Sequence, residues 1–273
     1  MMNFICPVCK NELADSGSFY RCKNGHCYDK SKFGYVNLLQ SQKSSAKRHG
    51  DDRVMVRARR DFLDKGYYGF LSDALCEICK GIIKDGDCVL DAGCGECYYS
   101  YAIKKRLGEC QKDICFFGID ISKDALEFAS KRKSNIKTAV ASVFSLPFED
   151  ASIDMLLNIF SPEADAEFLR VLKKDGIMIR VIPLEMHLYD LKAAIYAEPY
   201  KNDIPETKIK GFDLIDRVLL KKEIELISSE DIQNLFKMTP YYYKTGKQDQ
   251  EKIIGLPYLK TQAEFEIRVY KKD

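Results

Sequence analysis

Val89-Leu90-Asp91-Ala92-Gly93-Cys94-Gly95-Glu96-Cys97-Tyr98-Tyr99 runs from an apolar strand into a turn with glycine at alternate positions, then into residues that can begin a helix. A strand ending in Asp-x-Gly-x-Gly presents backbone N–H groups at a helix N-terminus, and the missing side chains let a ligand come close. A nucleotide-like cofactor suits such a turn. Dinucleotides lay a pyrophosphate over the loop and favour Gly-x-Gly-x-x-Gly. Here the third glycine is absent and Asp91 precedes the pair, which favours S-adenosylmethionine.

Strands and helices alternate downstream. Cys115 to Asp120 is the next strand, and an acid at its carboxyl end is placed to accept both ribose hydroxyls of an adenosine moiety. Asp120 is therefore a second anchor, while Ser122 suits the cap of the helix from Lys123 to Lys131. Lys137 to Ser142 reads as an edge-like strand whose small residues Ala141 and Ser142 approach the adenine ring. The apolar run Ile153 to Phe160 reads as a central strand buried on both faces. It delivers Asn158-Ile159-Phe160-Ser161-Pro162 to the carboxyl edge, where open α/β sheets bind ligands. A helix from Glu163 to Leu172, a turn through Gly176 and a strand from Ile177 to Ile182 complete that unit. Right-handed crossovers throughout predict a doubly wound sheet.

His187 follows this core strand at the ligand edge, a position that favours function over the structural role a lone histidine commonly has. The polar stretch to Gly211 reads as an insertion over that edge. Glu223 to Ile227, a helix capped by Ser229 and the alternating Ala263 to Tyr270 supply a last strand, helix and strand. Met238-Thr239-Pro240 precedes Tyr241, Tyr242 and Tyr243, which either stack on a base or pack internally.

The 273 residues suffice for a full core, and the 46% hydrophobic and 31% charged content is that of an ordinary globular protein. A net charge of +2 does not announce a nucleic-acid partner, so any basic surface comes from local clustering. No apolar run approaches a bilayer span and the first residues lack a signal-peptide core, so a cytoplasmic protein with no membrane partner is expected. Eleven cysteines, an odd number in a reducing compartment, point to metal ligation over a disulfide framework.

Cys6-Pro7-Val8-Cys9 is followed by Cys22 and His26. Two close pairs of soft or borderline ligands across a hairpin-sized loop suit a tetrahedral structural zinc site. Cys27, beside His26, is an alternative fourth ligand. The segment has little core of its own, so bound metal would supply much of its folding free energy. Tyr28 to Leu39 leads out of it with alternating aromatic and apolar residues, either packing the module onto the main domain or offering a face to a base. Cys76-x-x-Cys79 and Cys94-x-x-Cys97 lack second pairs and read as packing residues.

Between Lys43 and Arg60 stand seven Lys or Arg against two Asp. Gln40 to Asp52 has no apolar periodicity and reads as a linker. Asp51 or Asp52 can cap a helix that continues to Gly66, placing Arg53, Arg57 and Arg60 along one side, where they either bind phosphate or are simply solvated. A second amphipathic helix, from Phe70 to Ile83, covers the sheet. The division that follows is a zinc-binding ribbon over 1–39, a basic linker with helices over 40–84, and an α/β S-adenosylmethionine-binding domain over 85–273, which the resemblance described next makes a methyltransferase domain.

Taken together, Cys6-Pro7-x-Cys9, Cys22-x-x-x-His26, Gly34-Tyr35-Val36-Asn37-Leu38-Leu39, Ala58-Arg59-Arg60-x-Phe62-Leu63-Asp64, the glycine turn, His187-Leu188-x-x-Leu191-Lys192 and Met238-Thr239-Pro240 closely resemble the bacterial large-subunit ribosomal RNA guanine-N1 methyltransferases. The resemblance spans nearly the whole chain. It implies a zinc ribbon held by Cys6, Cys9, Cys22 and His26 beside a Rossmann-like S-adenosylmethionine-dependent domain, often as a homodimer. It further implies methyl transfer to N1 of a guanine in a hairpin of 23S ribosomal RNA. By position, Tyr68, Gly93, Gly95, Glu96 and His187 match cofactor-contacting residues; with Asp91, Tyr98, Asp120 and Ser142 they form the candidate cofactor set. Asn158 and the backbone near Phe160 are placed to orient the guanine. Cys97 stands where the family has glycine, which leaves the exact contacts of the turn open.

Overall fold

The computed structural model describes residues 2–40 and 50–273. Lys43, Lys47 and Arg48 of the expected basic cluster lie outside them. β1 (Leu13–Asp15), β2 (Phe19–Cys22) and β3 (Cys27–Asp29) form a small antiparallel sheet, and β4 (Val36–Asn37) leaves it. Two helices follow, α1 (Arg53–Asp64) and α2 (Gly69–Ile82). The Asp52 carboxylate caps α1 by accepting from the Val54 and Met55 N–H groups, as one of the two expected aspartates was to do.

The main sheet is built from β5 (Cys88–Ala92), β6 (Cys115–Asp120), β7 (Lys137–Val140), β8 (Ile153–Ile159), β9 (Leu172–Pro183), β10 (Phe212–Leu226) and β11 (Leu259–Lys272), and β4 joins its edge. Between these strands run α3 (Tyr98–Glu109), α4 (Lys123–Ser130), α5 (Asp165–Val171), α6 (Tyr189–Ile195), α7 (Ser229–Lys237), α8 (Tyr241–Lys244) and α9 (Lys247–Glu251). Spatially the order is β10-β11-β9-β8-β5-β6-β7-β4. β4 through β9 pair in parallel, which brings the carboxyl ends of β5, β6, β7 and β8 to one edge.

The sheet departs from the sequence reading in three places. β11 runs antiparallel to both neighbours, so the crossovers are not right-handed βαβ units throughout. It is a long return strand wedged between β9 and β10, and its length comes from pairing over 14 residues. β10 begins at Phe212, well before Glu223, because its exposed face alternates charged and apolar residues and so reads as polar loop. β7 is interior, since Val36 and Asn37 pair with Ala139 and Val140. The α7 cap also differs: Ser228 occupies that position without a side-chain bond, and the Ser229 hydroxyl accepts from Gln233 and Gly255. Among the described residues no helix is long and apolar enough to cross a membrane.

The ribbon is not a separate bead. Phe4, fully buried, meets Phe117 of β6 and Phe148 at ring centroids 5.2 and 5.5 Å apart and Tyr20 of β2 at 5.7 Å. Of the two roles open to the segment from Tyr28 to Leu39, packing is the one the structure displays, through β4. Replacing Phe4 with Ala removes the ring that joins two cores, and an unfolding loss of about 3 to 5 kcal/mol is expected from urea melts; a loss below about 1 kcal/mol would mean that the ribbon and sheet do not share a cooperative core.

Candidate functional site: a cofactor cavity and a zinc cluster

The glycine turn lies where β5, β6 and β8 end together. Gly93 has φ +90°, and a Cβ placed on it would fall 2.3 Å from the Ser161 Cβ. Only glycine tolerates both the conformation and the approach. The Ser161 hydroxyl donates to the Ala92 carbonyl, and the Gly93 and Cys94 N–H groups donate to Ile119 at 2.8 and 3.0 Å. Gly95 N–H donates to the Asp120 carboxylate at 2.8 Å. Cys97 adopts φ +62° at the N-cap of α3, which explains why glycine suits this position. Its buried thiol lies 3.4 Å from where a Gly118 Cβ would be, packed under the turn against β6.

Above the turn is a cavity of about 680 Å³, within the range for small-molecule sites. Tyr68, Asp91, Gly93, Gly95, Glu96, Tyr98, Asp120, Ser142 and His187 all line it. Asp120 is half-buried and fixed by Gly95 and by the Ser122 N–H, 2.8 Å from its other oxygen; desolvation raises its pKa, against those two bonds. Each carboxylate oxygen keeps a further lone pair for a diol. Ser142 accepts from the Phe144 N–H at 3.2 Å.

One Asp91 oxygen accepts from the Ser100 hydroxyl; the other is buried without a partner. Burial pushes its pKa to about 7, opposed by the Ser100 bond and aided by the charge on Asp120. The hydroxyls of Tyr68 and Tyr99 are likewise buried and unpartnered, and burial raises both phenols. Buried polar atoms normally find partners, so three such atoms lining one cavity fit a ligand that supplies them. Five carboxylates stand in the lining; Asp51, Glu96 and Glu163 face Arg59, Arg132 and Arg180, and Asp91 and Asp120, with no arginine bonded to either, suit a cationic one.

Tyr68, His187 and Phe265 form one wall, with His187 and Phe265 centroids 4.7 Å apart. His187 Nδ1 accepts from the Glu264 N–H at 3.1 Å, which leaves the proton on Nε2. Burial drives its pKa to about 3, so it is a neutral donor and not a base near neutral pH. Phe160, at φ +52°, turns its ring outward at the cavity mouth against Tyr99 and Phe265.

The structure also alters three expected roles. The Glu96 carboxylate is clamped by Arg132, with Arg60 at 3.7 Å, so its side chain braces the turn. Asn158 spends its amide on Ser161 and Pro162 carbonyls at 3.3 and 3.2 Å and its oxygen on Arg180 at 3.0 Å; it shapes the loop and has little left to orient a base. Arg53 pairs with Glu127 at 3.0 Å, Arg57 with Asp61 at 3.7 Å and Arg60 with Asp64 and the Phe128 carbonyl; Arg53 and Arg57 are the exposed members of that face. Arg59, Asp51, Tyr99 and Phe265 line the cavity although they were not in the candidate set. Arg59 and Tyr99 had a signal, being inside the family-like motifs; Phe265 is one apolar residue of a strand and had none.

In the ribbon, the ligand atoms of Cys6, Cys9, Cys22 and His26 all lie within 4.8 Å of one another. Cys6 Sγ and Cys22 Sγ are 3.6 and 3.3 Å from His26 Nδ1, and Cys9 and Cys22 sulfurs are 3.6 Å apart. Tetrahedral zinc with Zn–S near ~2.3 Å and Zn–N near ~2.0 Å has edges of roughly 3.5 to 3.8 Å, so the set fits Zn²⁺. Hydrogen bonds from the Asn11 backbone and side chain pull the Cys9 thiol down to about 6, towards thiolate. Cys27 is exposed and outside the cluster, which favours His26 as the fourth ligand. Cys76, Cys79, Cys94 and Cys97 are buried packing residues, as expected.

A sheet of this topology with a glycine turn and an acid at the next strand end, joined to a Cys₃His ribbon, defines a zinc-ribbon S-adenosylmethionine-dependent methyltransferase. Residues 83–246 match the methyltransferase-domain family and residues 4–47 the N-terminal zinc ribbon of RlmA. A Bacillus subtilis (strain 168) protein whose name places it among the 23S rRNA (guanine-N(1)-)-methyltransferases is 32% identical over 259 residues, 89% of this chain and 88% of that protein. The 23S rRNA (guanine(748)-N(1))-methyltransferase of Streptomyces fradiae is 33% identical over 193 residues, 70% of this chain and 66% of the relative. The chain belongs to the 23S rRNA (guanine-N1)-methyltransferase family.

Two measurements follow. Metal analysis of the purified protein should give one equivalent of zinc, lost in Cys6→Ser; metal-free wild type would remove the cluster's role. The raised Asp91 pKa means that the folded state holds a proton which the unfolded chain, with an aspartate pKa near 3.8, releases. Stability of the ligand-free protein should therefore fall as pH rises from about 4 to about 7 and level off above that. Urea melts of wild type minus Asp91→Asn isolate this slope, and parallel profiles for the two would refute it.

Proposed function

We propose that the protein transfers the methyl group of S-adenosylmethionine to N1 of a guanine in a hairpin of 23S ribosomal RNA. The observation that carries this reading is the cavity itself: unpartnered Tyr68, Asp91 and Tyr99 atoms beside the Asp120 strand end, in a chain of this family. The named activities of the Bacillus and Streptomyces relatives supply the acceptor.

When bound, the cofactor supplies an electrophilic methyl on a sulfonium. The chain's own residues hold and align. Asp120 would accept the ribose hydroxyls, Ala141 and Ser142 would border the adenine, and Asp91 with the Tyr68 and Tyr99 hydroxyls would satisfy the amino-acid part. The acceptor would then enter past Phe160, whose exposed ring offers a stacking face at the mouth. Guanine N1 lies on the Watson–Crick edge, so the base must be unpaired or extruded, and a hairpin loop meets that requirement. Methylation also requires the N1 proton to leave in line with alignment of the two groups. His187 does not take it, because its Nδ1 is already an acceptor and Nε2 holds the proton. Its Nε2–H can instead donate within the cavity.

The same reading assigns acceptor choice to the ribbon over 1–39 and the basic segment over 40–84, chemistry to 85–273, the cytoplasm as location, no membrane partner, and a homodimer as assembly, the last carried by family resemblance alone. The cytoplasm and ribosomal partner go together because the substrate is there.

Primer extension on 23S ribosomal RNA incubated with protein and S-adenosylmethionine should show one new stop at a guanine, since N1 methylation blocks pairing. Absence of any stop rejects the acceptor. Asp120→Ala should weaken S-adenosylmethionine binding by about tenfold or more in titration calorimetry, and an unchanged affinity would remove Asp120 from the site.

A further inference from the structure

We propose that Arg59 of α1 binds the α-carboxylate of S-adenosylmethionine, an inference that rests on the cofactor reading above. S-adenosylmethionine carries a sulfonium, an ammonium and one carboxylate. The first two charges suit Asp91 and Asp120 of the cavity. The carboxylate needs a donor, and the glycine turn has few to offer. Gly93 and Cys94 N–H groups are given to Ile119, that of Gly95 to Asp120 and that of Cys97 to Cys94. The turn that opens a helix in an anion-binding manner has thus used most of its donors to hold the strand ends together.

Arg59 is the one Lys or Arg among the described residues of the lining. Its Nη1 stands 3.9 Å from the point a Gly95 Cβ would occupy, so the guanidinium is over the turn. Nη1 donates to Asp51 and Nη2 to the Met238 carbonyl at 3.2 Å, which uses two of its five N–H bonds. A planar guanidinium held at two points is preorganised for a carboxylate, with little side-chain entropy left to lose. Asp51 is itself anchored, its carbonyl accepting from the Ser122 hydroxyl at 2.6 Å, just beyond Asp120 on the same loop. The competing role is mechanical: the same two bonds make Arg59 a tie between α1 and the end of α7.

Ligand truncation separates the two roles. Calorimetry would compare S-adenosylmethionine with its decarboxylated analogue, on wild type, Arg59→Met and Arg59→Lys, with thermal melts of each to establish folding. We expect wild type to bind the carboxylate-bearing ligand more tightly. Arg59→Met should lose on the order of tenfold to a hundredfold for that ligand and less than about twofold for the analogue, with Arg59→Lys between. Equal losses for both ligands would make Arg59 a structural tie and overturn the proposal, as would wild type that does not distinguish the ligands, a comparison needing no variant. Wild type that binds neither ligand would instead bring down the cofactor reading, and the proposal with it. A methylation defect confined to the KM for RNA, with cofactor affinity unchanged, would place Arg59 against the acceptor and also overturn it.

Discussion

The approach of Gly93 to Ser161 is the constraint on which the site depends. Three strands end within reach of one another, and the turn leaving β5 passes so close to Ser161, two residues beyond β8, that a single methyl group would not fit. The hydrogen bonds from Ser161 to Ala92, from Gly93 and Cys94 to Ile119 and from Gly95 to Asp120 then lock the ends of β5, β6 and β8 as one unit. Because that unit is made of backbone and desolvated acids, the cavity floor is set before any ligand arrives. The cost is electrostatic. Buried Asp91 and half-buried Asp120 lie within range of each other, and both carboxyls are pushed up in pKa.

That cost explains the character of the cavity. A site with two desolvated acids at its floor, more acids around them and a neutral histidine is poorly suited to a phosphate-bearing ligand, whose charge would add to the repulsion. It suits a cation flanked by an adenosine. The aromatic wall of Tyr68, Phe265 and His187 closes one side of the cavity with apolar surface, and charge interactions are stronger in such surroundings. The loop from Asn158 to Pro162 adjoins this wall through Phe160 and is held by its own hydrogen bonds and by Arg180, itself paired with Asp165. Its rigidity keeps Phe160 at a left-handed backbone position with the ring exposed.

The ribbon's placement has the same physical origin as the sheet's stability. A three-stranded sheet of ten residues buries too little apolar surface to stand alone. It is completed by two things, four ligand atoms closing a tetrahedron and a seam of aromatic rings around Phe4 that continues into β6. β4 then adds hydrogen bonds to β7. A metal-binding module tied in this way cannot swing freely.

Local chemistry in the chain determined a good deal. The glycine turn, the acid at the end of the following strand and the Cys-x-x-Cys…Cys-x-x-x-His spacing each depend on neighbours in sequence, and the nine residues they and the family motifs suggested do line one cavity. Tertiary structure alone decided what depends on distant partners. Glu96 became a brace because Arg132 arrives from the far end of α4, and Asn158 became a loop clamp because Arg180 lies on the adjacent strand. His187 lost its basicity through burial and the charge of Lys192, while a backbone N–H of β11 fixes its tautomer. β11 itself reads as one more alternating strand, and its antiparallel insertion is set by pairing with β9 and β10 and not by composition. Periodicity shows which face of an element is buried; which element buries it, and which charge meets which, is settled only when the chain closes on itself.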